Sequence, residues 1–126
     1  MFRLFNMFGP SKAQMAFDNA LRVSGVHPLL VPEPVKLTVI QLNRKLAEER
    51  DQEIAFTHAA QLIAYCILGD EEFRSINGRE AADQTDQRME TAITEGNSLD
   101  AKLILLTVHS GLISPEIADR IDVEDT

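Results

Sequence analysis

The chain has 126 residues and a mass of 14.1 kDa, enough for one hydrophobic core and too little for two. With 44% hydrophobic and 25% charged residues, its composition is that of folded globular domains and excludes disordered, collagen-like and disulfide-framework chains. Twelve basic against twenty acidic residues leave a formal charge of −8, the wrong sign for a surface that displaces counterions from phosphate backbones, so DNA is not an expected partner.

Cys66 is the single cysteine, so no internal disulfide forms and a cytoplasmic setting is expected. The first residues, MFRLFNMFGPSK, are apolar but interrupted by Asn6 and lack a small-residue cleavage motif, so they are not read as a signal peptide. The longest uncharged run after them, residues 54–69, is sixteen residues long and contains Thr57, His58 and Gln61. That falls short of the roughly 20 residues needed to cross a bilayer, so an integral membrane protein is not expected.

In chain order, four of the six phenylalanines come first, at Phe2, Phe5, Phe8 and Phe17. Drawn as a helix, Met1, Leu4, Phe5 and Phe8 share a face that needs an apolar cover. The Gly9-Pro10 step then separates residues 1–10, an apolar N-terminal segment, from a helical domain over 11–126. Ser11 is the expected cap of a helix over 12–24, with Ala13, Ala16, Phe17, Ala20 and Leu21 on one side and Gly25 as its stop. Residues 26–34, VHPLLVPEP, contain three prolines. Each removes an amide donor and biases its predecessor to extended backbone, so this stretch reads as a rigid connector.

Pro34 is placed to open a second helix with a stripe of Val35, Val39, Leu42 and Leu46. Alternation over 35–39 leaves a strand as the other reading, and helix is preferred. An unbroken helix from 34 to 68 would be about 50 Å long, too long for a compact domain of this size, so a break near Asp51 is expected. Residues 54–68 are apolar nearly all round, the pattern of a helix enclosed by others, with Gly69 closing it and Asp70 starting a short turn. Asn77-Gly78 is a stop. Residues 79–95 form a polar surface helix with a stripe of Ala82, Met89, Ala92 and Ile93. Ser98 caps an apolar helix over 99–110, ended by Gly111, and Ser114-Pro115 opens a last one to about residue 121. Five to seven helices with short connections specify an all-α, single-domain bundle.

The charge is uneven. Residues 1–69 carry seven basic and six acidic groups, and residues 70–126 carry five and fourteen, so the halves stand at +1 and −9. The simplest meaning is a solvated acidic surface; the functional one is a docking face for a basic partner, with Glu80, Asp83, Asp86 and Glu90 as its contacts.

Residues 103–106, Gly111-Leu112 and Glu116-Ile117-Ala118 on to Val123 resemble the first two helices of a helix-turn-helix, which implies a regulatory module. The sequence departs from that pattern where the recognition helix should stand. After Val123 come only Glu124, Asp125 and Thr126, and with Asp119 and Asp122 they would repel phosphates.

No metal or cofactor is expected. His27, His58 and His109 lie in different elements without a ligand at close helical spacing, and there is no Gly-rich phosphate loop, nucleophile elbow or Cys pair. His58 reads as a hydrogen-bonded residue at the core or its boundary, and Cys66 as a small buried hydrophobe.

The leading expectation is therefore a non-catalytic protein-interaction module that self-associates and binds another protein, with Phe2, Leu4, Phe5 and Phe8 as apolar anchors. A peripheral membrane contact by the same segment is the lesser reading, because Arg3, Lys12 and the amino terminus are its only cations. The alternative is a small-ligand or metal-binding protein, or an enzyme, with a pocket near His58, Tyr65 and Cys66.

Overall fold

A computed structural model describes the backbone of residues 2–47 and 51–122 and the side chains of residues 12–47 and 51–121. Seven α-helices and one 3-10 turn make up the described residues, and no strand occurs among them: α1 (Phe2–Ser24), the turn Pro28–Leu30, α2 (Glu33–Leu46), α3 (Gln52–Leu68), α4 (Asp70–Asn77), α5 (Arg79–Glu95), α6 (Leu99–His109) and α7 (Pro115–Asp122). The all-α expectation holds, and the ambiguous stretch at 35–39 is helical.

The central element is α3. It packs against α1, α2, α4, α5 and α6, and its residues Phe56, Ala60, Leu62, Ile63, Ala64, Tyr65 and Cys66 are buried. Sequence explains this position: a helix that is apolar nearly all round from Ala59 onward is covered over that length, since each fully buried aliphatic side chain contributes about 1.5–3 kcal/mol. Phe17 and Leu21 bring α1 onto it, with the Phe17 and Phe56 rings 6.4 Å apart. Met89 and Ala92 are the buried stripe of α5, Leu103 and Ile104 that of α6, and Ile117 that of α7.

Local signals set the boundaries. The expected break between α2 and α3 is present, and Asp51 caps α3 by accepting from the amides of Glu53 (3.0 Å) and Ile54 (3.4 Å). Ser98 Oγ accepts the Ala101 amide at 3.2 Å, and Ser114 Oγ accepts that of Ile117 at 3.3 Å. Gly69 serves α3 and α4 together. At φ +87° it lets the chain turn sharply, and a Cβ there would lie 2.8 Å from Glu116 Oε1 of α7.

The start of α1, the connector after it and the buried face of α2 differ from expectation. Helix α1 runs through Gly9 and Pro10 from Phe2 and does not begin at Ser11. The proline-rich connector contains a 3-10 turn, in which His27 Nδ1 accepts the Leu29 amide at 3.1 Å, because proline's fixed φ suits the first position of a helical turn. Lastly, α2 buries a face rotated from the expected stripe: Val35, Lys36, Val39, Ile40 and Asn43 are buried while Leu46 is exposed. Lys36 can turn inward because its Nζ lies 2.9 Å from Asp18 Oδ1 of α1.

Candidate functional site

Two places in the fold concentrate polar side chains. The first is a cleft of about 200 Å³ between α2, α3, α5 and α6. Its apolar lining comes from Ala47, Ala55, Ala59, Leu99 and Leu103, and its polar lining from Asn43, His58, Arg88 and Asp100. Alanines at 55 and 59 are one turn apart on α3, and their lack of bulk leaves the space open.

One wall is built by Arg88. Its Nε and Nη2 donate to the two oxygens of Asp100, at 3.1 and 2.9 Å, and its Nη1 donates to the His58 carbonyl oxygen at 3.0 Å. A bidentate pair of this kind fixes the guanidinium plane, tying α5 to the first turn of α6 and to α3. Arg88 and Asp100 also line a second, more open cleft of about 380 Å³ with Gln84, Gln87, Thr91, Ala92, Glu95 and Ser98. The ion pair thus stands as a partition between two hollows.

The inner wall carries Asn43, only 1% exposed. Neither its side-chain nitrogen nor its side-chain oxygen has a hydrogen-bond partner among the described residues. A primary amide offers two donors and two acceptor sites, and burying it unpaired costs about 1–3 kcal/mol. Sequence reading passed over Asn43 because a lone asparagine in a helix reads as solvent-facing. The available signal was its place eight residues after Val35 and four after Val39, on the same face.

The second concentration surrounds the C-terminal half of α3. Tyr65 is fully buried, with its ring edge-on to Phe73 at 5.3 Å and its hydroxyl 2.8 Å from Asp86 Oδ1 and 3.0 Å from Asp70 Oδ1. Arg120 Nη1 donates to the same Asp86 oxygen at 2.8 Å, and its Nη2 donates to Glu90 at 2.6 Å. Arg74 donates twice to Asp70, at 3.2 and 3.0 Å, and once to Asp83, at 2.9 Å. Burial, then the hydrogen bonds to Asp86 and Asp70, push the Tyr65 pKa well above its ordinary value. The hydrogen bond from Arg74 holds the Asp70 carboxyl below the usual carboxylate range. Burial disfavours the Arg120 charge, but Glu90, Asp86 and Tyr65 outweigh it and keep the guanidinium firmly protonated. This arrangement binds four helices together.

The residues singled out from the sequence scatter over these features. His58 is exposed and lines the cleft, which corrects its reading as a core or boundary residue. Tyr65 and Cys66 are buried and line neither hollow. Seven residues along a helix is about 10.5 Å, which carries Tyr65 from the rim of the bundle to its interior. Asp83, Asp86 and Glu90 are paired with Arg74 or Arg120, and Glu80 is exposed. The side chains of Phe2, Leu4, Phe5 and Phe8 lie outside the described residues.

Among the described residues no group of three or more His, Cys, Asp or Glu is placed to hold a metal ion, and no helix is long and apolar enough to cross a membrane. Comparison with protein-family models, curated proteins and solved structures finds no match to this chain.

Proposed function

We propose that this chain is a non-catalytic interaction module that associates with a second copy of itself through α1 and the turn that follows. The observation that carries this reading is the exposure of large apolar side chains there: Met15 is 70% exposed, Val23 71% and Leu29 85%, with Leu30 exposed beside them. Ile76 of α4 is also exposed and lies over Gly25 at the end of α1, where a Cβ would stand 2.7 Å from Ile76 Cδ1. Isolated exposed apolar residues are ordinary, but several on one helix and its adjoining turn make an adhesive surface.

Met15 stands two helical turns beyond Phe8 in the same unbroken helix, so the aromatic segment at the start of the chain and the exposed Met15 and Val23 belong to one element. Charge favours a second copy as the occupant. The half of the chain that contains α1 is nearly neutral while the other half carries −9, so two copies meet with least repulsion at this end. Full cover for each such side chain contributes about 1.5–3 kcal/mol, and a two-fold interface uses every one twice. The sum is on the scale of the roughly 4–15 kcal/mol that association costs.

Light scattering on the purified chain tests the reading. The expected mass is twice 14.1 kDa, falling to the single-chain mass on deletion of residues 1–9 and in the variant combining Met15→Glu with Leu29→Glu, with helical circular dichroism retained. A single-chain mass for the unaltered protein rejects it, and so does an unchanged mass in both variants.

A further inference from the structure

We propose that the apolar groove between α5, α6 and α7 docks a cationic amphipathic helix of another protein. One large apolar side chain of that helix enters between Leu105 and Ile121, and its lysines or arginines face an acidic rim. The groove belongs to the half of the chain that carries −9 and shares no residue with the α1 surface proposed for self-association, so the two readings stand or fall separately.

Ile93 of α5, Gly96 at its end, Ala101, Ile104 and Leu105 of α6 and Ile121 of α7 line a hollow of about 180 Å³. None of the six has a polar side chain. An apolar cavity of roughly 150 Å³ admits benzene, so this groove has room for one aromatic or leucine-sized side chain. Leu105 is 47% exposed, and among the described residues 79–121 it is the one exposed large apolar side chain. Ile93 and Ile121 are half-buried in the same lining. A lone exposed leucine is ordinary, but aliphatic side chains from three helices opening on one hollow make a socket for an anchor residue.

Charge selects the occupant. Residues 90–122 hold six acidic and two basic groups, and one of the two, Arg120, is engaged by Asp86 and Glu90. Glu95 and Asp119 are exposed. The end of α5 adds to the same field: its last turn has no basic residue, it closes on Gly96 in the left-handed region, and Gly96 itself lines the groove. The final carbonyls of a helix carry partial negative charge, which a cation stabilises. An anionic lipid surface is repelled here, and a second copy brings its own −8. A helix with an apolar stripe between cationic flanks matches both the hollow and its rim. The sequence pointed to a basic partner at Glu80, Asp83, Asp86 and Glu90, but three of these are paired with Arg74 or Arg120, which moves the contact to the C-terminal end of α5.

The test titrates the full, isotopically labelled chain with a lysine–leucine peptide of about five helical turns whose leucines share one face. Two matched peptides are titrated beside it, one with glutamate for every lysine and one with serine for every leucine. The expected result is saturable amide shifts centred on the groove, at Ile93, Gly96 and Leu105, with the lysine–leucine peptide. Binding is expected to be at least about tenfold weaker with the serine peptide and absent with the glutamate peptide. Leu105→Arg, at a position already half in solvent, is expected to weaken binding by a similar factor with helical circular dichroism retained. Four outcomes overturn the proposal: no saturable shift; a response to either matched peptide equal to that of the lysine–leucine one; shifts centred away from the groove or unchanged in folded Leu105→Arg; or groove shifts on dilution of the chain alone, which give the groove to a second copy. The peptide comparison needs no variant, so it decides the matter even if that substitution impairs folding.

Discussion

Tyr65 on α3 and Asp86 on α5 meet through a hydrogen bond of 2.8 Å, and the Asp86 oxygen that receives it also accepts from Arg120 of α7. One carboxylate oxygen thereby joins three helices. Because the phenol is fully buried, removing its hydroxyl leaves no room for water to substitute, and Tyr65→Phe is expected to cost about 1–3 kcal/mol in urea denaturation. The ring's packing on Phe73 survives that change. An unaltered midpoint would show that the two arginines alone hold the carboxylates.

The chain has one tyrosine and no tryptophan, so tyrosinate absorbance reports Tyr65 by itself. Its folded pKa is raised above the ordinary 10.0 by burial and by Asp86 and Asp70. The unfolded chain therefore ionises first, and the associated stability is complete below about pH 10 and lost as pH rises toward the folded pKa. Burial pushes Cys66 from 9.0 up to about 12, so loss begins above about pH 9. Tyrosinate is expected to appear together with the loss of helical signal, and a tyrosine that ionises near pH 10 in the folded chain contradicts this.

At the acid end Asp70 behaves oppositely. Arg74 depresses its pKa below the ordinary 3.8, so its contribution is present above that value and is lost as pH falls through the folded pKa. Asp70→Asn is expected to shrink the fall in urea midpoint between about pH 5 and pH 2, the range over which a depressed carboxylate gives up its contribution.

Asn43→Leu is expected to raise stability by about 1–2 kcal/mol, visible as a thermal midpoint several degrees higher, because an unpaired amide is exchanged for an apolar side chain of similar size. A lower midpoint would mean that the amide contributes to the folded state on its own account.

Arg88→Met is expected to destabilise by about 1–3 kcal/mol, since it strands the Asp100 carboxylate and the His58 carbonyl that the guanidinium now serves. Arg88→Lys should recover less than half of that, because an ammonium cannot reproduce the two-pronged bond. Full recovery by lysine would show that charge alone matters.

Much of this bundle is readable from spacing and punctuation. The uncharged run at 54–68 becomes the central helix, the break near Asp51 and the Ser98 cap are where expected, and Gly69 and Gly78 close helices with positive φ. Such signals are local, and the chemistry that specifies them lies within a few residues. The candidate cleft was hardly readable, for the opposite reason. Asn43 faces inward because Lys36, one position beyond the expected stripe, finds Asp18 eighteen residues upstream. Arg88 meets Asp100 and the His58 carbonyl twelve and thirty residues away, and Arg120 meets Tyr65 across fifty-five. A charged or amide side chain on a helix carries no mark of which distant group will meet it. His58 was noticed for its chemistry, yet only the assembled bundle puts it at the cleft's edge and sends Tyr65 and Cys66 inside.

The attachment of α7 has a kinetic consequence. Ile117 buries its side chain, the Ser114 amide donates to the Cys66 carbonyl at 2.8 Å, and Arg120 reaches Asp86 and Glu90. A short helix moored at so few points can detach in a sub-global opening while α3 and α6 keep their protection against hydrogen exchange. Each such excursion would wet the phenol of Tyr65 and leave the hollow beside Asn43 undisturbed, giving the two polar centres of this small bundle separate clocks.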